Sequence, residues 1–361
     1  MNKVLLGDVA EEVRDNYKET DGNPAVVGLE HLIPGEIRLK EWSEDTNTTF
    51  TKAFHKGQVL FGRRRAYLKK AAVAPVDGIC SGDITVISAK PDKILPELLP
   101  FVIQNDDFFD FAVGKSAGSL SPRVKWSRLK EYEFNLPSLP QQKELAKLLW
   151  SFVDAKEAYE DLIRQTDELV KSQFIEMFKD TQRVPLSEVA EIVMGQSPKG
   201  DTYNTNGEGI LFNQGSGDFT DKYVATKMYC TAPTRIAKAG DVLMSVRAPV
   251  GTVNITLDDC CIGRGLAAIR SRKSKEYNEY FFQAFKVMEN EIANMGQGST
   301  VNSISKDMLL GIMMPDASIV QQGWFVKFAR QSDKSKFELQ YVNRNVKEMI
   351  TCSQKKIRLN R

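Results

Sequence analysis

PQQKELAKLLWSFVDAKEAYEDLIRQTDELVKSQFIEMF, residues 140–178, is the longest periodic stretch of the chain and lies almost at its midpoint. It holds no Gly and no Pro after its first residue. Leu145, Phe152 and Tyr159 fall seven apart, Leu148, Ala155, Leu162 and Leu169 fall seven apart on the adjoining track, and Leu149, Ile163, Val170 and Met177 widen the stripe. The spacing predicts one long amphipathic helix that needs a partner helix. At about 1.5 Å per residue it would run roughly 57 Å, longer than a small domain is wide, so its expected task is to hold two bodies apart.

Working outward, the chain repeats itself. LGDVAEEV at Leu6 to Val13 returns as LSEVAEIV at Leu186 to Val193, and KGQVLFGRRRA at Lys56 to Ala66 returns as AGDVLMSVRAP at Ala239 to Pro249, with Arg64 on Arg247. ICSGDITVIS at Ile79 to Ser88 corresponds to CIGRGLAAIR at Cys261 to Arg270, SAGSLSPR at Ser116 to Arg123 to GQGSTVNS at Gly296 to Ser303, and Gln141 and Gln142 to Gln321 and Gln322. The order is kept throughout. The helix recurs as well, since Phe325, Leu339 and Val346 fall on one seven-residue track and Phe328, Val342 and Met349 on the next.

Within each copy, short apolar runs such as Val26 to Leu29, Val59 to Phe61, Ala71 to Ala74 and Ile84 to Ser88 are separated by Gly, Pro and Asp, the pattern of strands and turns. Leu95 to Val113 reads as helix, with its counterpart at Tyr277 to Met295. The expected fold class is α+β: two tandem globular units alternating with two long helices that pair as an antiparallel coiled coil, a pseudo-twofold internal repeat. Leu145, Phe152, Tyr159, Leu162 and Leu169 are the expected pairing positions on the first helix. Phe325, Phe328, Leu339, Val342, Val346 and Met349 are those on the second.

Bulk properties narrow the function. The 361 residues are 42% hydrophobic and 27% charged, an ordinary globular composition, and the net charge of +2 hides strongly uneven stretches. No apolar run approaches 18 residues and no leader precedes the first unit, so a cytoplasmic protein without membrane association is expected. Five scattered cysteines fit a reducing compartment, and two histidines without CxxC spacing leave little material for zinc or for a histidine base.

Candidate catalytic motifs fail one by one. Gly114, Lys115 and Ser116 resemble the end of a phosphate loop, but Phe109 stands where its first glycine belongs. Pro91, Asp92, Glu97 and Leu99 lack the lysine a nuclease metal site wants, and no Asn-Pro-Pro-aromatic tetrapeptide of amino-group DNA methylation occurs. Binding is therefore expected, with no catalytic residue and no metal site. Nucleic acid is the partner the local charge points to. Lys56 to Lys70 carries Arg63, Arg64, Arg65 and Lys69 without a carboxylate, and Lys115 to Lys130 carries Lys115, Arg123 and Lys125 around Ser119. Both recur in the second copy, as Arg247 and as the polar loop of Gln297, Ser299, Thr300 and Asn302, residue types suited to phosphates and base edges. A coiled-coil adaptor with protein-binding ends and solvated basic faces is the other reading these residues allow. A fragment of a nuclease-methylase fusion is a third, and it needs the missing tetrapeptide.

The order of globular unit, proline-flanked Gln-Gln start (LPSLPQQKELAKLL and MMPDASIVQQGWFVKF) and long helix, twice over, resembles the specificity subunit of a type I restriction-modification enzyme. The resemblance covers essentially the whole chain. It implies target recognition domains at 1–138 and 181–316, a central spacer helix at 139–180 and a C-terminal spacer helix at 317–361. It further implies that the chain reads a bipartite double-stranded DNA target and scaffolds two methylation subunits and the restriction subunits. S-adenosylmethionine, ATP and Mg would sit on those partners and no cofactor on this chain. The outer face of the first helix, with Lys156, Glu157, Glu160, Arg164 and Lys171, is where methylation subunits are expected to dock.

Overall fold

The computed structural model describes residues 2–17, 24–296 and 303–357. They form two compact units, Met1–Glu160 with Gln340–Arg361, and Asp161–Leu339. The division cuts both long helices, Leu139–Phe178 and Ile319–Gln354, so each unit owns part of each.

The first unit contains β1 (Asn2–Leu5), β2 (Ala10–Val13), β3 (Ala25–Val27), β4 (Lys52–Phe54), β5 (Val59–Gly62), β6 (Ala71–Val73), β7 (Gly78–Cys80), β8 (Ile84–Ala89) and β9 (Glu133–Leu136). They assemble as an antiparallel four-stranded sheet in the order β2-β8-β5-β6, a three-stranded sheet β3-β7-β4 in which β3 and β7 run parallel, and the pair β1-β9. β5 is apolar at every position except its terminal glycine because both its faces are covered. Side chains alternate across a strand, so Val59 and Phe61 enter one core with Ile87 and Phe108, whereas Leu60 enters the other with Val86 and Phe54. The helix expected over Leu95 to Val113 forms as two pieces, Leu99–Ile103 and Asp106–Gly114. Asn105 breaks it, its side chain accepting the Asp107 N–H as the cap of the second piece.

The second unit repeats the plan. Its strands are β10 (Arg183–Pro185), β11 (Ala190–Met194), β12 (Tyr203–Asn204), β13 (Ile210–Asn213), β14 (Tyr229–Cys230), β15 (Ile236–Ala237), β16 (Val242–Ser245), β17 (Val253–Ile255), β18 (Cys260–Ile262), β19 (Leu266–Ser271) and β20 (Met313–Pro315). The order β11-β19-β16-β17 matches β2-β8-β5-β6, β13-β18-β15 matches β3-β7-β4 with its parallel first pair, and β10-β20 matches β1-β9. β12 and β14 are added at the edge of the second sheet. Val242 and Met244 again face one core and Leu243 the other. The helical counterpart also forms in two pieces, Asn278–Val287 and Glu289–Met295.

The Gln-Gln starts prove to be capping devices. Ser138 and Ser318 precede the long helices, and Gln141 and Gln321, three residues on, turn back so that Oε1 accepts the serine N–H at 3.2 and 3.0 Å. The second glutamine of each pair is buried and donates to the carbonyl five residues back, Gln142 to Pro137 at 3.0 Å and Gln322 to Ala317 at 2.8 Å.

In each unit the two helix segments run antiparallel. In the second, Phe174 meets Phe325 with ring centroids 5.2 Å apart and Asp167 takes Lys336 Nζ at 2.8 Å. In the first, Leu149 and Val153 share a core with Ile350 and Ile357, and Glu160 takes Lys347 at 3.1 Å. The inward-facing tracks are Leu149, Lys156 and Val170, all buried, with Ile163 half-buried, on one helix, and Gln322, Ala329, Asn343 and Ile350, all buried, with Lys336 half-buried, on the other. This is a different phase from the apolar stripe. Leu145, Phe325 and Val346 are buried, and Phe152, Tyr159, Phe328, Leu339 and Val342 are half-buried, but Leu162, Leu169 and Met349 are 45%, 53% and 50% exposed. Lys156, Asp167, Ser332, Lys336 and Asn343 occupy or flank the seam, so a search for apolar residues drifts to its side.

The outer face expected for docking changes too. Lys156 is buried against Glu36 at 2.6 Å, Glu157 pairs with Arg38, which also holds Asp154 at 2.6 Å, and Glu160 takes Lys40 and Lys347. Burial works against the ionised Glu160 carboxylate, but the Lys347 hydrogen bond with Lys156 and Lys40 outweighs it and holds the group below the usual range. Arg164 and Lys171 do face solvent, each tied to an acid on its own helix.

Candidate nucleic-acid interface

In the first unit the chain leaves β5 through Arg63, Arg64 and Arg65, makes one tight turn at Ala66–Leu68, and returns through Lys69 and Lys70 to β6. Arg65 and Lys69, with φ of 54° and 52°, are the positive-φ residues other than glycine among the described residues. A non-glycine side chain in that region is sterically costly, and such strain concentrates where a loop must hold one shape. Here buried Ala66 pins the turn from below, and Lys69 Nζ is held by Asp106 at 2.7 Å.

A second loop is stitched to the first. Ala117 and Arg123 exchange backbone hydrogen bonds of 3.0 and 2.9 Å around Gly118 at φ 109°, Arg65 N–H donates to the Pro122 carbonyl at 2.8 Å, and Val124 N–H to that of Arg63 at 3.0 Å. The two basic stretches thus form one surface. Arg123 donates to Asp83 through Nε at 2.6 Å and Nη2 at 3.1 Å, while Arg64 donates to Ser121 Oγ at 3.3 Å and lies 3.5 Å from the same aspartate. The Arg123 hydrogen bonds hold the Asp83 carboxyl below the usual range against a smaller opposing effect of burial.

The remaining residues singled out in the sequence take varied positions. Arg63 has its Nε buried with no hydrogen-bond partner among the described residues. Arg65, Ser119 and Lys125 are exposed, and Lys115 lies over the Phe111 ring and 3.7 Å from Glu131. Lys70 donates to the Leu29 carbonyl at 2.6 Å and so braces the loop instead of offering its charge. Sequence reasoning missed Asp83 and Ser121, because nothing in the order of residues places an acid 40 positions away beside Arg123. It also missed Leu120, which is 90% exposed at the tip of the second loop.

The second unit rebuilds the same junction. Val246 N–H donates to the Gly265 carbonyl at 2.9 Å as Arg63 N–H does to Asp83, Ile304 N–H donates to Val246 at 2.9 Å as Val124 does to Arg63, and Arg247 bridges Ser303 as Arg64 bridges Arg123. Arg247 is exposed, and Ser245 Oγ fixes its carbonyl at 2.7 Å. Gln297, Ser299, Thr300 and Asn302 lie outside the described residues. Among the described residues no group of three or more His, Cys, Asp or Glu side chains could hold a metal, and no helix is long and apolar enough to cross a membrane.

A duplicated sheet unit that presents an arginine from the same backbone position in each copy, carried on long antiparallel helix segments, defines a class of repeated recognition proteins. The family described as type I restriction modification DNA specificity domain matches residues 3–165 and again 179–349, and the chain belongs to it. The chain is 28% identical over 299 residues to a protein of Methanocaldococcus jannaschii provisionally named the type I restriction enzyme MjaX specificity subunit, covering 76% of this chain and 69% of that one. To the type I restriction enzyme EcoDI specificity subunit of Escherichia coli it is 29% identical over 145 residues, 37% of this chain and 31% of that one. A solved chain from work on complex assembly and conformational transition of the type I R-M system superposes with TM-score 0.62 at 27% identity, covering 98% and 96% of the two chains. The type I restriction-modification S subunit of M. genitalium has the same fold, with TM-score 0.62 at 14% identity over 100% and 96% of the chains.

Proposed function

We propose that this chain is the DNA-reading subunit of a type I restriction-modification assembly, each copy of the unit reading one half of a bipartite duplex target. The observation that carries this is the repeated junction that sets Arg64 and Arg247 at equivalent backbone positions beside a second loop. Guanidinium groups offer forks of donors matched to phosphate and to guanine, and loops fixed by backbone hydrogen bonds lose little entropy on binding. No bond is made or broken on this chain in this reading. S-adenosylmethionine, ATP and Mg belong to the two methylation subunits and the restriction subunits, and the assembly works in the cytoplasm, where the DNA is.

The long helices carry a second, apolar surface for those partners. Trp324 is 53% and Phe337 70% exposed on the C-terminal helix in the second unit, where Leu162 and Leu169 are also exposed, and Tyr341 and Met349 are exposed in the first unit. Large apolar groups left in water along helices are what a protein interface takes up. Leu162, Leu169 and Met349 are therefore assigned to partner docking.

The test is duplex binding by the chain assembled with its methylation partner, measured across salt concentrations. Log affinity should fall steeply with log salt, by a slope of about 0.9 per phosphate neutralised, and a motif-bearing duplex should outcompete random duplex. Arg64→Ala or Arg247→Ala should each weaken binding by about 1–3 kcal/mol if the residue meets a base, with altered preference, and more evenly across sequences if it meets phosphate. Binding that ignores both salt and sequence would overturn the proposal in favour of a protein-binding adaptor.

A further inference from the structure

Asp83 is out of place on a surface that meets DNA. A carboxylate there repels phosphate and lowers affinity, and it stands between two arginines that would otherwise be free to bind. Its geometry gives it another use. Arg123 spends Nε and Nη2, one side of its guanidinium, on the two Asp83 oxygens at 2.6 and 3.1 Å. Nη1 has no partner among the described residues, so the other fork, Nη1 with the second hydrogen of Nη2, points away from the aspartate and is open. That fork is the one that spans the O6 and N7 acceptors of guanine in the major groove. An arginine on a free side chain can swing to any phosphate, whereas one locked through Nε is presented in a single orientation.

We infer that Asp83 is a specificity-determining positioning residue, which gives up phosphate affinity to orient Arg123 for a guanine in the half-site read by the first copy. The assignment rests on the DNA-reading function proposed above. It is confined to one copy, because the corresponding positions in the second unit are Gly265 and Ser303, which carry neither acid nor base. Ser121, held by Arg64, and the antiparallel bridge that sets Arg64 opposite Arg123, closed by Arg65 N–H to the Pro122 carbonyl and Val124 N–H to that of Arg63, keep the two guanidinium groups on the same face of the loop pair.

The experiment selects binders from a random duplex pool with the intact chain assembled with its methylation partner, using the natural sequence, Asp83→Asn, Asp83→Ala and Arg123→Lys. The natural protein should enrich a two-part motif. Both Asp83 variants and Arg123→Lys should lose the same single G·C preference in one half, with discrimination there falling from roughly five- to a hundredfold towards none. The other half should be unchanged, and affinity for motif-free duplex should not fall. Asp83→Asn keeps the size of the side chain, and its melting temperature checks that the fold is intact. An unchanged motif in both Asp83 variants, or equal weakening at every position with unaltered melting, would overturn the role of Asp83 while leaving the DNA-reading function standing. Failure of the natural protein to enrich any motif would overturn both.

Discussion

Phe325→Ala and Leu169→Ala separate the two possible phases of the helix seam. In the apolar-stripe phase both residues are seam positions of similar weight. In the structure Phe325 is fully buried, its ring 5.2 Å from Phe174, 5.8 Å from Phe178 and 6.5 Å from Tyr280, while Leu169 is half in solvent. Burial of a large aromatic side chain is worth about 1.5–3 kcal/mol and each well-placed aromatic pair about 0.5–1.5 kcal/mol more. Truncation leaves a cavity among three rigid rings, so the cost should reach about 3–5 kcal/mol. Leu169→Ala should fall within about 0.5 kcal/mol. Urea unfolding of the isolated chain, followed by circular dichroism and by tryptophan fluorescence, gives both values as shifts in midpoint at constant slope. A loss below about 1 kcal/mol for Phe325→Ala, or above about 2 kcal/mol for Leu169→Ala, would refute the seam described here.

Two further predictions concern buried chemistry. Lys222 sits between Glu279 at 2.7 Å and Asp333; burial works against its charge, but the two acids outweigh that effect and raise its pKa, so its contribution to stability holds below the ordinary lysine range for as long as both acids are ionised and is lost as the pH rises through the raised lysine pKa. Lys222→Met should cost about 3–5 kcal/mol by stranding Glu279, and adding Glu279→Gln should recover most of it in a double-mutant cycle; simple additivity of the two losses would count against the pairing. Burial pushes the Cys80 thiol up to about 12 and raises that of Cys260, and Cys230 and Cys261 are buried, whereas Cys352 is exposed. A thiol reagent near pH 8 should therefore titrate Cys352 quickly and the other four only on unfolding, and Cys352→Ser should abolish the fast phase.

The duplication was legible because it is written in residues with fixed jobs. Gln142 and Gln322 recur to hold the same carbonyl at each helix start, Ser138 and Ser318 recur as caps, and Arg64 and Arg247 recur beside the same backbone junction. The seam was not, since Lys156, Lys336 and Asn343 lie on tracks that a search for apolar residues passes over, and the burial of Lys156 and Asn343 and the half-burial of Lys336 depend on ion pairs and packing partners far away in sequence. The sorting of β5 into two cores could not be read either, because a run apolar on both faces gives no alternation to count. The basic loops were found, but charge alone could not distinguish Arg123, clasped by Asp83, from Lys70, spent on a carbonyl.

The shared wall between the cores has a thermodynamic consequence. Because Val59 and Phe61 belong to one core and Leu60 to the other, and β16 is divided in the same way, neither core of a unit can melt without pulling the strand out of its neighbour. Each unit should therefore open as one cooperative block, with the amides of β5 and β8, or of β16 and β19, exchanging with deuterium together and last. Sequence change in the basic loops is insulated from that block, so a recognition surface can drift while the frame that carries it stays folded.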